Sequence, residues 1–263
     1  MAPRCGLCYV QAVDPLNVEH AGRTLRGVLH LPHPHREPVP AVVLCHGFGE
    51  NRMGSRDEFV RLARLLADKG VAAYRFDFAA FGESDGDPAD FSVSDQVSQL
   101  GAVLDQLERN RAVDPARIGV LGFSMGALTA VLTAGARPLR TLALWAPSGG
   151  ALNLPFWNGG PYRDQIRDWG YADYNGIRFG RAFLDDLPGL DQFAAARRHA
   201  GPVLLAGGTE DSLMRAELID PYVEAWGARL ELHRIEGMGH SPGTLAERER
   251  LLDLTGEFLL RTV

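Results

Sequence analysis

"GVLGFSMGALTAVLTAG", residues 119–135, sets one polar hydroxyl, Ser124, between Gly122 and Gly126. Apolar, strand-like residues precede it, and small residues suited to a helix follow. A serine at such a corner stands clear of the backbone, beside the free N–H groups of the helix's first turn. So tight a turn crowds its neighbours, which accounts for a glycine two residues away on each side. The bland reading is a glycine-bounded turn with an idle serine. The strand before and the helix after are, however, the context that a G-x-S-x-G nucleophile elbow requires. Ser124 is therefore the candidate nucleophile, and it needs a base to take its proton.

The flanking sequence repeats the same style. "AVVLCHG" (41–47), "VAAYRFDF" (71–78), "RIGVLGF" (117–123), "LRTLALWAP" (139–147) and "GPVLLAGG" (201–208) are continuous apolar runs. Runs apolar on both faces suit buried parallel strands. Helix-period segments lie between them. "SRDEFVRLARLLADKG" opens with Ser55 and Glu58 at capping-box spacing, stops at Gly70, and puts Phe59, Leu62, Leu65 and Leu66 on one face. "SVSDQVSQLGAVLDQLERN" aligns Val97, Leu100, Leu104 and Leu107. The last segment carries a second capping box, Thr244 with Glu247. Strands alternating with helices predict an α/β fold, a mostly parallel sheet covered on both faces. "LNVEHAGRTLRGVLHLP" predicts an antiparallel entry hairpin.

The alternation fails from Ser148 to Arg198. This stretch has no clear strand and is rich in glycine, proline and aromatic residues. A structureless loop of that length is unusual in a compact domain. We expect residues 148–198 to fold as a lid or cap insertion on a core formed by 1–147 and 199–263. Phe156, Trp157 and Trp169 are its candidate substrate contacts. The competing use of its rings is to pack the insertion's own core.

The elbow predicts partners in the chain order serine, acid, histidine. Asp211 stands just past the apolar run 203–206, with Glu210 beside it as the alternative acid. His240 lies on a loop, "GMGHSPG", after the strand 229–235. His233 falls inside that strand and reads as structural. An oxyanion hole needs two N–H donors. Met125, directly after the nucleophile, supplies one. Phe48 in "HGFGEN" supplies the other, with Gly47 and Gly49 allowing a close turn. His46 reads as a loop-shaping residue.

Bulk properties narrow the function classes. The 263 residues are 46% hydrophobic and 23% charged, with formal net charge −6. No basic stripe is present, which argues against nucleic acid or an anionic membrane as partner. No apolar run approaches the roughly 18 residues of a membrane span. The first residues lack the apolar core of a signal peptide. Three cysteines, Cys5, Cys8 and Cys45, are an odd number, and together these features argue for reduced thiols in a cytoplasm. Cys5 and Cys8 form a single C-x-x-C, weak evidence for metal or redox work and more simply a chance pair or surface feature, and Cys45 reads as a small buried filler.

Taken in order, "HGFGE", "RFDFAAFGESDG", "GFSMG", "GTEDSLM" and "GMGH" resemble the α/β-hydrolase superfamily over nearly the whole chain. The "HGF" loop with "FDFAAFGESDG" is most similar to its serine-esterase branch of feruloyl and cinnamoyl esterases. That resemblance implies the α/β-hydrolase fold, a Ser124–Asp211–His240 triad, oxyanion donors at Phe48 and Met125, and an insertion after the sixth strand that shapes the acyl pocket. It implies hydrolysis of a small-molecule carboxylic ester, with aromatic esters favoured and no metal or organic cofactor. Dehalogenases and epoxide hydrolases of the fold need aspartate at the elbow, and dienelactone hydrolases cysteine. A peptidase, amidase or thioesterase of the same fold is the alternative within enzymes. A non-catalytic small-ligand receptor is the alternative outside them.

Overall fold

The computed structural model describes residues 13–34, 38–147, 157 and 161–263. Cys5, Cys8 and Phe156 lie outside them. Four short strands open the described chain: β1 (Val13–Pro15), β2 (Val18–His20), β3 (Arg23–Leu25) and β4 (Gly27–His30). β2 and β3 form the expected antiparallel hairpin as a separate ribbon. The apolar runs become β5 (Val39–Cys45), β6 (Ala72–Phe76), β7 (Val113–Phe123), β8 (Leu142–Trp145), β11 (Val203–Gly208) and β12 (Leu230–Ile235). They build an eight-stranded sheet in the order β1-β4-β6-β5-β7-β8-β11-β12. β4 pairs antiparallel with β1 and β6, and every pairing from β6 to β12 is parallel.

Burial on both faces explains the lack of polar alternation. In β5, Ala41 to Cys45 are all fully buried. Val42 and Leu44 face one layer with Leu62 and Leu66 of α1 (Glu58–Asp68) and Leu251 and Phe258 of α8 (Leu245–Thr262). Val43 and Cys45 face the other, with Leu100 and Leu104 of α2 (Val93–Glu108) and Leu128 and Val131 of α3 (Met125–Ala136). Burial pushes the Cys45 thiol up, so it stays a neutral filler. Among the described residues no helix is long and apolar enough to cross a membrane.

The capping box at Thr244 forms, with the Thr244 hydroxyl and the Glu247 carboxylate each accepting the other's backbone N–H. The one expected at Ser55 does not. Asp57 takes the N-cap position in a left-handed conformation, and Glu58 instead accepts from the Arg56 N–H. The turn before it decides this: the Phe59 N–H donates back to the Met53 carbonyl.

The segment after β8 contains α4 (Tyr162–Trp169), α5 (Arg181–Asp186) and α6 (Gln192–Arg198). It also contains strands the sequence reading did not expect. β9 (Ala172–Tyr174) and β10 (Ile177–Phe179) pair antiparallel around Asn175-Gly176, both at positive φ. That two-residue Asn-Gly turn is a strong hairpin signal, outweighed here by strands of only three residues. A further helix, α7 (Ala216–Trp226), links β11 to β12.

Candidate active site

The site gathers at the carboxyl ends of β5, β7 and β11, where open α/β sheets bind ligands. Ser124 follows β7 at φ 53° and ψ −114°, a conformation worth about 1–3 kcal/mol of strain in a non-glycine residue. Its N–H donates to the Trp145 carbonyl at 2.9 Å, and its carbonyl accepts from Ala127 and Leu128 in the first turn of α3. The flanking glycines are required by contact. A Cβ at 122 would stand 2.3 Å from the Gly126 carbonyl oxygen, and one at 126 would stand 2.2 Å from that of Cys45. Without them α3 could not sit against the ends of β5 and β7.

The three residues expected from chain order meet. Ser124 Oγ lies 3.0 Å from His240 Nε2, and His240 Nδ1 lies 2.9 Å from Asp211 Oδ2. An ionised Asp211 only accepts, so Nδ1 carries the proton and Nε2 is left to accept the Ser124 hydroxyl. Asp211 is buried, and its other oxygen accepts the Leu213 N–H at 2.9 Å. Glu210 is exposed, and only its backbone takes part, donating to the Met238 carbonyl. Proximity thus separates two carboxylates that sequence left side by side. His233 stays within β12. Two residues that sequence reasoning missed help to bring the histidine in. A Cβ at Gly208 would lie 1.7 Å from the Met238 carbonyl, so glycine lets the His240 loop close on β11. The Phe123 ring packs 5.0 Å from the His240 ring.

The loop after β5 is pinned from several sides. His46 is fully buried; Nδ1–H donates to the Gly47 carbonyl at 2.8 Å, and Nε2 accepts the Phe78 N–H at 3.0 Å. Burial lowers its pKa, which keeps the ring neutral in this loop-shaping role. Buried Asp77 pairs with the Arg52 guanidinium and accepts the Arg52 and Glu83 N–H groups. The Phe48 ring nests against Phe81, Phe91, Phe179 and Phe183, and a Cβ on Gly49 would meet the Ile177 side chain at 2.0 Å. The segment after β8 therefore packs directly on this loop. Among the described residues, nothing accepts from the backbone N–H of Phe48 or of Met125.

The expected substrate contacts are dispersed. Trp157 is buried among Tyr162, Tyr174, Phe179 and Phe183, a core position. Trp169 is 60% exposed at the end of α4, against Tyr171.

A sequence profile of the alpha/beta hydrolase family matches residues 42–253, from the Phe48 loop past His240. The chain belongs to the alpha/beta hydrolase family. An uncharacterized protein of Mycobacterium tuberculosis is 28% identical over 236 residues, covering 90% of this chain and 75% of that protein. Esterase EstD of Thermotoga maritima is 35% identical over 44% of this chain and 29% of its own length. Among solved structures, Est1E from Butyrivibrio proteoclasticus with ferulic acid bound superposes with a TM-score of 0.82 at 21% identity, over 94% of this chain and 98% of that one. This last likeness is one of fold.

Proposed function

We propose that the protein is a serine hydrolase that cleaves carboxylic esters through an acyl-enzyme intermediate. The observation that carries this is the continuous hydrogen-bonded chain from Ser124 through His240 to Asp211. In the first half-reaction Ser124 Oγ attacks the ester carbonyl while His240 Nε2 takes its proton. Asp211 holds the imidazole in the Nδ1–H tautomer and stabilises the imidazolium. The unpartnered N–H groups of Phe48 and Met125 are the donors for the oxyanion, and each such donor is worth about 10²–10³ in rate. The imidazolium protonates the departing alcohol. Water then enters, gives its proton to His240, and releases the acid and Ser124.

Residues 148–198 act in this reading as a lid over the acyl side. Support comes from Ile177 seated on Gly49 and from the Phe48 ring seated among the rings of that segment. An aromatic acyl group, of feruloyl or cinnamoyl type, fits a lid so rich in rings, since stacking adds about 0.5–1.5 kcal/mol per good contact. The bound ferulic acid of Est1E is a property of that protein and supports the choice by fold only. The experiment is a comparison of kcat/KM for methyl ferulate, a C8 nitrophenyl ester and an aminoacyl arylamide, corrected for leaving group. Methyl ferulate is expected to lead. A lead for the arylamide would favour a peptidase, and a lead for the C8 ester a general carboxylesterase.

A further inference from the structure

The eight-stranded sheet ends in two unlike edges. β1 has three residues and finishes in Pro15, which offers a neighbour no N–H. β12, at the other end, runs six residues, Leu230 to Ile235, without a proline. It pairs in parallel with β11, and the Thr209 N–H donates to the Ile235 carbonyl. In a parallel strand the N–H and C=O of one residue point to the same side, and the side alternates along the chain. Glu231, His233 and Ile235 therefore bond to β11, while Leu230, Leu232 and Arg234 turn their backbone groups outward. The Leu230 N–H is taken by the Gly227 carbonyl. Among the described residues, no hydrogen bond reaches the backbone of Leu232 or Arg234. The charged side chains do not guard this edge. The Glu231 carboxylate accepts from Arg261 of α8 at 2.8 and 2.9 Å, and the Arg234 guanidinium donates to the Met214 carbonyl. Leu232 between them is 38% exposed. Leu230, on the same face, packs in the layer of Tyr222 and Trp226 of α7, and Val223 of that helix is exposed as well. Open backbone groups beside an apolar side chain make a template for another strand.

We infer that β12 is a self-association edge, on which a second copy of this chain pairs antiparallel about a two-fold axis through Leu232. Outward residues must face outward residues, so the axis passes through a residue and not between two. An axis at Glu231 sets two carboxylates face to face, and one at Arg234 two guanidinium groups. Like charges directly opposite destabilise a ladder. An axis at Leu230 or Ile235 overlaps the strands by their last residue alone. An axis at His233 opposes two imidazoles and sets Glu231 against buried Ile235. The axis at Leu232 matches every position. Leu232 meets its own copy, Glu231 faces His233 of the second copy in both directions, and the aliphatic stem of Arg234 covers Leu230. The Glu231 and His233 positions are then a non-hydrogen-bonded pair, the closer kind, with Cα atoms about 4.5 Å apart. The open groups of Leu232 and Arg234 gain about four N–H···O bonds. This self-complementarity of charge and apolar surface names the occupant as a second copy rather than an unrelated strand. The partners run in opposite directions, so their Ser124 sites open at opposite ends of the joined sheet.

The pairing is independent of the esterase reading, so its tests read mass and cross-linking and not turnover. Sedimentation equilibrium of the full chain at micromolar concentrations should give twice the chain mass. Leu232→Lys puts two ammonium groups on the axis and should weaken the dimer by about 100-fold or more, as expected for a central contact. Leu232 is exposed in the single chain, so circular dichroism and a cooperative melt should show that the variant folds. His233→Lys, which sets a permanent cation opposite Glu231, should instead tighten the dimer about fivefold. Register is read by cysteine pairing under mild oxidation, with the bridge located by peptide mass. A mixture of Glu231→Cys and His233→Cys proteins should form a disulfide between positions 231 and 233 of two chains, and neither protein alone should cross-link at its new cysteine. A wild-type chain that stays monomeric at every concentration leaves the edge to some other partner and overturns the inference. A dimer indifferent to Leu232→Lys overturns it too, as does a His233→Cys protein that cross-links to itself at position 233.

Discussion

Gly126→Ala is the substitution whose consequence follows most directly from the packing. The new methyl would stand 2.2 Å from the Cys45 carbonyl oxygen and 2.5 Å from that of His46. Both are backbone atoms, so no side chain can rotate away. Regaining an ordinary contact requires α3 and the end of β5 to separate by about 1 Å, the scale of misplacement that costs about 10²-fold in rate. Ser124 and the Met125 N–H move with α3, and the Phe48 N–H moves with the end of β5. We therefore expect kcat for nitrophenyl acetate to fall about 10²-fold, equivalent to about 2.7 kcal/mol of barrier. Overpacking should also lower stability by about 1–3 kcal/mol. The control is Gly101→Ala. Gly101 lies within α2 and has nothing within 4 Å of a built Cβ. There the methyl should raise stability by about 0.5–1 kcal/mol with kcat unchanged. Stopped-flow rates and thermal melts on both variants decide the matter. A Gly126→Ala protein with wild-type kcat and melting temperature would refute the reasoning about the elbow.

The remaining predictions concern the acid, the stability profile and the lid. Asp211→Asn should lower kcat by about 10⁴ through loss of the correct imidazole tautomer, while Glu210→Gln should change it less than about threefold; steady-state kinetics on both would expose the reverse ranking. Burial, with help from Arg75 and Arg64, lowers the pKa of His30 to about 4 from the 6.5 of an unfolded chain. Between those values the unfolded state binds the extra proton, so this contribution is fully present above about pH 6.5 and is lost as pH falls towards 4. The total for His30 is about 3 kcal/mol, and burial lowers His46 and His199 in the same direction. His30→Gln, which can still accept from the Arg75 Nε, should flatten that part of a denaturant-stability profile; an unchanged slope would show that His30 does not titrate there. Trp157→Ala should destabilise by about 3–5 kcal/mol as a buried ring lost, and Trp169→Ala by less than about 0.5 kcal/mol, which urea melts would resolve.

Much of this arrangement is legible in the sequence because its signals are local or ordered. Gly122, Ser124 and Gly126 sit within five residues of one another, and a single steric demand explains all three. Val42 and Val43 are apolar in succession because helices cover both faces of β5, so doubled burial is visible in the string itself. The positions of Asp211 and His240 follow from strand endings. What sequence could not decide depends on contacts between distant segments. Asp211 and Glu210 are chemically alike, and only the path of the 238–240 loop over Gly208 selects between them. Ser55 has the composition of a cap, but the turn from Asn51 to Gly54 sends the chain past it. The β9–β10 hairpin is hard to read from sequence because three-residue strands carry almost no periodicity, although Asn175-Gly176 marks the turn. Trp157 and Trp169 look equivalent as letters; one is core of the insertion and the other surface, and nothing within their own neighbourhoods separates them.

The central claim is that Ser124 is a nucleophile activated by His240. Its most direct test is covalent labelling with a fluorophosphonate, followed by intact-mass measurement and mapping of the modified peptide. The account predicts one adduct per chain, on Ser124, formed rapidly by wild type, abolished by Ser124→Ala, and slowed by orders of magnitude in His240→Ala with the fold intact. An adduct that persists in Ser124→Ala, or a wild-type protein that stays unlabelled, would contradict it.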